Sequence, residues 1–136
     1  MYNQWKAEHK VRLFGEYDGY GPGEHTRDFI YVKDVVKVNF YFWDHPEISG
    51  IFNCGTGHAH QFNTLAKGVL KHFGSGELEY VPFPEVLKGK YQSFTQADTA
   101  NLLAAGYDGG FTPIEDAIAE YCELLDKTGG YYVYER

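Results

Sequence analysis

Between positions 61 and 73 the apolar residues Phe62, Leu65, Ala66, Val69, Leu70 and Phe73 return at helical spacing and fall on one face. A stripe of that width must be buried, so the remaining chain has to supply an apolar surface to meet it. Short apolar runs stand on both sides of it. Residues 11–14 (V-R-L-F) and 78–81 read as strands, the second cut by Pro82 and Pro84, which cannot donate a ladder hydrogen bond. Gly74 and Gly76 end the helix between them. Strand-like runs alternating with helical stretches predict one α/β or α+β unit, with no internal repeat, low-complexity tract or linker.

The other segments follow the same logic. Residues 16–25, beside Gly15 and carrying Gly19, Gly21, Pro22 and Gly23, must be a loop. Residues 29–32 read as a second short strand. The run D-V-V-K-V-N-F-Y-F-W (34–43) fits both periods and is taken as a buried helix, stopped at Asp44-His45-Pro46. Residues 49–53 read as a short buried strand, ended by a tight turn at Gly55-Thr56-Gly57 that Asn53 would tie. Residues 88–96 are irregular. Asp98 can cap a short helix through Ala105, stopped at Gly106. Thr112-Pro113-Ile114-Glu115 reads as a capping box opening a last helix. Its predicted buried stripe is Ile114, Ala117, Ile118, Tyr121, Cys122 and Leu125, with Glu115, Asp116, Glu120 and Glu123 on a solvated face.

Composition narrows the function. Lys and Arg total 12 against 19 Asp and Glu, a net charge of −7, which argues against a general nucleic-acid binder and against an anionic membrane surface. Sixteen glycines and 12 tyrosines in 136 residues suggest tight turns beside an amphipathic binding surface. Cys54 and Cys122 share no ligand spacing, so a disulfide framework is not expected, and the cytoplasm is the expected compartment. His58, His60 and His72 read as surface or turn histidines, since Cys54-x-x-x-His58-x-His60 is a poor zinc pattern.

No G-x-G-x-x-G follows a strand, and there is no P-loop, H-E-x-x-H or G-x-S-x-G. Gly19-Tyr20-Gly21-Pro22-Gly23 has the glycines but no helix after it, so a dinucleotide site is not expected from this chain. Arg27, at a loop–strand junction, is placed to fork onto a phosphate or carboxylate, the alternative being a salt bridge to Asp28 or Asp34.

R-D-F-I-Y-V-K-D-V (27–35), I-F-N-C-G-T-G (51–57) and the stretch from Asp98 through Ala105-Gly106-Tyr107 to Thr112-Pro113-Ile114-Glu115-Asp116 resemble extended short-chain dehydrogenase/reductases that act on nucleotide sugars. V-R-L-F with its glycine-rich loop and Arg27, Y-V-P-F-P (80–84) and L-K-G-K-Y-Q-S-F-T-Q-A-D (87–98) resemble the ADP-L-glycero-D-manno-heptose 6-epimerase family. The likeness runs over residues 2–125 and matches only the C-terminal part of that family's sequence.

The resemblance implies an α/β fold: a small mixed substrate-binding lobe without the Rossmann half, over residues 1–128, followed by a flexible tail at 129–136. It implies that Phe14, Gly15, Glu16 and Tyr17 hold the ADP part of the substrate, that Arg27 binds phosphate and that Tyr91 binds substrate. In that family a bound NADP oxidises the sugar at C6 and returns hydride to the other face, for lipopolysaccharide core precursor synthesis. The catalytic residues and the NADP site have no match here. The chain is therefore expected to be a partial gene product that binds no cofactor and turns over nothing alone. Its expected partners are an ADP-sugar, the missing Rossmann lobe and, through an apolar face left uncovered, a second copy of itself. The alternatives are the substrate lobe of another nucleotide-sugar epimerase or dehydratase, and a non-catalytic ADP-sugar or protein-binding module.

Overall fold

The structure is a computed structural model and describes residues 1–130. The helical stripe forms as its spacing predicts: α3 spans Phe62–Phe73 and ends where Gly74 turns left-handed at φ 66°. Strand β1 (Lys10–Phe14) pairs in parallel with β4 (Glu77–Val81), in register from Lys10 opposite Glu77 to Phe14 opposite Val81. Ala66 and Val69 of α3 pack on Val11 and Leu13 of β1, and Cys122 of α5 (Ile114–Lys127) closes the same core. Helix α1 (Tyr2–Glu8) lies against this layer, with the Trp5 ring stacked on Phe73 at 3.8 Å.

A second cluster sits beyond it. Val38 of α2 (Val32–Asp44) packs with Leu102 of α4 (Ala100–Ala104) and with Tyr107, whose neighbour Tyr41 donates its hydroxyl to the Ala105 carbonyl at 2.7 Å. Asp34 ties the last helix to this half. Its side chain is wholly buried and accepts from Thr112 N (2.7 Å), Thr112 Oγ1 (2.9 Å) and Lys37 Nζ (2.7 Å). Burial alone pushes its carboxyl up; the hydrogen bonds from Lys37 and Thr112 outweigh that and hold it below the ordinary range.

Several expectations are corrected. Residues 29–32 are not a strand: backbone pairing on that segment stops at Asp28, and Val32 already begins α2. Helix α2 exists, but it is not buried all round, because Val36, Phe40 and Trp43 are exposed, Trp43 by 81%. Residues 49–53 form no strand and Ile51 is 91% exposed, since a strand needs a neighbour to take its ladder bonds and none pairs with this segment among the described residues. The capping box does not form. Thr112 gives its hydroxyl to the buried Asp34, and Pro113 takes the N-cap position without a side-chain bond. Leaving a helix end uncapped costs about 1 kcal/mol, less than leaving a buried carboxylate short of donors. In the α5 stripe Cys122 is buried, but Tyr121 is exposed. Of the expected tail, residues 131–136 lie outside the described residues, while Gly130 N–H bonds back to the Leu125 carbonyl at 2.7 Å.

Candidate functional site

Strand β2 (Thr26–Arg27) is only two residues long, yet it is paired on both edges. Strand β3 (His60–Gln61) runs antiparallel on one side, with Thr26 opposite Gln61 and Arg27 opposite His60. On the other side the irregular segment after Tyr91 runs parallel. Thr26 N–H donates to the Ser93 carbonyl (3.0 Å), Thr95 N–H to the Thr26 carbonyl (3.3 Å) and Asp28 N–H to the Thr95 carbonyl (2.9 Å). This pairing carries Tyr91 to Arg27 across more than sixty residues of sequence.

The Arg27 guanidinium carbon lies 4.9 Å from the Tyr91 ring centroid and 5.9 Å from that of Phe62, and Nη1 donates to the Thr26 carbonyl at 2.7 Å. It makes no ion pair among the described residues. Both carboxylates weighed as its partners are engaged elsewhere, Asp34 as above and Asp28 at the turn of residues 55–57. Asp28 Oδ1 accepts from Thr56 N (2.9 Å) and Thr56 Oγ1 (2.5 Å), and Oδ2 from Gly57 N (2.8 Å) and Ala97 N (3.1 Å). Burial raises the Asp28 carboxyl, and these four donors together bring it below its ordinary value. Asp28, not Asn53, therefore ties that turn; Asn53 Nδ2 donates to the Asp98 carbonyl at 3.1 Å. Gly55 lets the carboxylate approach, because a Cβ there would stand 2.8 Å from Asp28 Oδ2 and 2.4 Å from Ala97 Cβ.

Phe14, at the end of β1, brings its ring to 6.2 Å from Tyr91 and 5.3 Å from Phe83. Phe14 and Tyr91 share the wall of a cavity of about 370 Å³ with Leu13, Gly23, His25 and Phe62, and Met1, Gln4 and Arg12 complete it. Arg12 is already committed: its hydrogen bonds to Glu8 first and Glu79 second raise its pKa further. Arg27, stacked on two of the wall residues, is the uncommitted guanidinium at this site.

Of the six expected site residues, Phe14, Arg27 and Tyr91 thus come together. Gly15 continues the β1–β4 ladder, its N–H donating to the Val81 carbonyl at 2.7 Å. Tyr17 stacks on Phe83 at 4.1 Å, and its hydroxyl accepts from Gly89 N–H at 2.6 Å. Glu16 is exposed, in a separate shallow hollow with Tyr17 and residues 18–21. The sequence reading missed His25 and Phe83, both buried among these rings. The two-residue spacing from His25, just before β2, to Arg27, which puts both on one face of extended chain, is the signal that could have found His25.

A second cavity of about 310 Å³, walled by Phe29, Tyr31, Leu65, Ile118 and Tyr121 among others, carries no charged side chain. No three His, Cys, Asp or Glu side chains converge on a metal position among the described residues. Both cysteines are free. No described helix is long and apolar enough to cross a membrane. The glycine-rich turn after β1 leads into β2 and not into a helix N-terminus, so this turn does not fit a dinucleotide pyrophosphate.

Residues 1–55 match the model of the NAD dependent epimerase/dehydratase family. Among solved structures, UDP-N-acetylglucosamine 4-epimerase from Methanobrevibacter ruminantium, in complex with UDP-N-acetylmuramic acid, is similar at TM-score 0.75 and 20% identity, over 93% of this chain and 38% of that one. ADP-L-glycero-D-manno-heptose-6-epimerase from Helicobacter pylori is similar at 0.73 and 25%, over 92% and 36%. UDP-glucose 4-epimerase from Thermotoga maritima, with UDP-glucose, is similar at 0.71 and 26%, over 93% and 38%. Complexes with NAD and with NADP also occur among the matches. The fold is thus a mixed α/β one that matches part of these epimerase chains. The chain spans less than two-fifths of the length of each of these three relatives.

Proposed function

We propose that this chain is the nucleotide-sugar-binding part of an extended short-chain dehydrogenase/reductase, and that its ligand is an ADP-heptose whose C6 the complete enzyme inverts with NADP. One observation carries the reading: Arg27 is a half-buried guanidinium with no carboxylate partner among the described residues, held between the Tyr91 and Phe62 rings beside a cavity that Phe14 also walls. A diphosphate supplies the missing anion in the forked geometry a guanidinium prefers. Phe14 offers a ring face to a base, and Tyr91 a phenol to phosphate or sugar oxygens. The chain's own work is to bind and orient; hydride and proton transfer belong to groups outside it, so it turns over nothing alone.

The heptose assignment draws on the K-G-K-Y-Q-S-F-T-Q-A-D run and on the likeness to the H. pylori enzyme. The similarity to the T. maritima enzyme with UDP-glucose favours a second reading, a UDP-sugar. Calorimetry separates them. ADP-glucose should bind more tightly than UDP-glucose, and Arg27→Ala should weaken that binding by about 1.5–3 kcal/mol, roughly 10- to 150-fold. Equal binding, or none, of the two nucleotide sugars would remove the ADP-heptose reading. An unchanged affinity in Arg27→Ala would remove the phosphate role.

A further inference from the structure

Two buried polar side chains, His25 and Ser93, each keep one polar atom without a hydrogen-bond partner among the described residues, and together they specify what the ligand must offer. His25 is 2% exposed and lines the 370 Å³ cavity; Ser93 is 7% exposed. The His25 ring is held by Tyr91 at 5.3 Å edge-to-face and by Tyr20 at 5.4 Å, and its Nε2 lies 3.2 Å from the Tyr17 carbonyl. A carbonyl oxygen can only accept, so the neutral His25 ring carries its hydrogen on Nε2 and keeps the lone pair on Nδ1. Neither that nitrogen nor Ser93 Oγ has a hydrogen-bond partner among the described residues.

The strand pairing puts these groups on one side. Thr26 is bridged to Phe94 in parallel, and neighbouring residues of a strand alternate faces. Ser93 therefore shares a face with His25 and Arg27. Thr26, whose Oγ1 is also buried without a partner, takes the opposite face and plays no part here. His25 and Arg27 stand two residues apart on that face, roughly 6.6 Å along the strand, which suits a phosphate and the sugar ring next to it.

We propose that His25 Nδ1 and Ser93 Oγ read ring hydroxyls of the ligand whose diphosphate Arg27 holds. Nδ1 accepts a hydrogen bond from a hydroxyl, and Ser93 Oγ donates to or accepts from a second. A hydroxyl both donates and accepts, so one polyhydroxylated ring satisfies both groups. The proposal rests on the nucleotide-sugar reading above and adds to it the residues that distinguish a sugar from a bare anion.

The test is calorimetry of ADP-glucose and of ADP on the whole chain, its His25→Phe, His25→Gln and Ser93→Ala variants, and ¹⁵N spectroscopy of the His25 ring in the unaltered protein. His25→Phe should weaken ADP-glucose binding about five- to tenfold, His25→Gln should recover part of that through its amide oxygen, and Ser93→Ala should cost about two- to fivefold. A loss for ADP-glucose but not for ADP places the hydroxyls on the hexose; an equal loss for both places them on the ribose. The Nδ1 resonance should move when ADP-glucose is added. Unchanged affinities with ADP-glucose still bound, or an unmoved Nδ1 resonance, would overturn this pair and leave the nucleotide-sugar reading standing. Failure of the unaltered chain to bind any nucleotide sugar overturns both. Where a variant does not fold, the Nδ1 resonance of the unaltered protein decides.

Discussion

Replacing Asp28 by Asn tests the stitch that holds the Arg27 strand to the rest of the molecule. Each Asp28 oxygen accepts two hydrogen bonds, from Thr56 N and Oγ1 on one side and from Gly57 N and Ala97 N on the other. An amide offers one oxygen and one NH₂, so in either orientation two donors lose their acceptor and meet another donor. At about 1–2 kcal/mol for each disrupted bond, Asp28→Asn should destabilise the fold by about 2–4 kcal/mol, a large share of a typical margin of about 5–15 kcal/mol. Urea unfolding followed by tryptophan fluorescence measures it, and amide exchange at Thr56, Gly57 and Ala97 should quicken beyond the global change. The pH dependence has a definite sign. Because the folded carboxyl is held below its ordinary value of 3.8, its stabilisation is fully present above that value and is lost as pH falls through the lowered folded one. Asp28→Asn should flatten that part of the acid limb. A loss below about 0.5 kcal/mol, with an unaltered acid limb, would refute the reasoning.

Other substitutions probe the remaining packing by the same unfolding measurement. Leu102 is wholly buried at the centre of the second cluster, so Leu102→Ala should cost about 2–5 kcal/mol; a cost under 1 kcal/mol would mean that cluster is not cooperative with the fold. Gly55→Ala puts a Cβ 2.4 Å from Ala97 Cβ and should cost about 1–3 kcal/mol, with Ala97→Gly in the same chain restoring part of it. Trp43 is 81% exposed, so Trp43→Ser should change stability by no more than about 0.5 kcal/mol; a larger loss would show that the outer face of α2 is covered in solution.

Much of this was legible in residue order because it is local. The stripe of α3, the glycine that ends it, the strands β1 and β4 and the prolines that cut β4 all follow from spacing and backbone chemistry acting over a few residues. Of the six residues the resemblance singled out, Phe14, Arg27 and Tyr91 share a neighbourhood, Tyr17 joins it through Phe83, and Glu16 stays exposed in a separate hollow. What only the tertiary structure decided is where buried polar groups find partners. Asp34 takes Thr112 from across the chain and so removes a capping box that the local sequence spells out. Asp28 takes the turn that Asn53 was expected to tie, and by doing so frees Arg27 of a carboxylate. Ile51 and the outer face of α2 are apolar but stay exposed, because periodicity measures how apolar a face is and not whether another element arrives to cover it. Partner choice between distant groups is a property of the packed chain, and no window of sequence contains it.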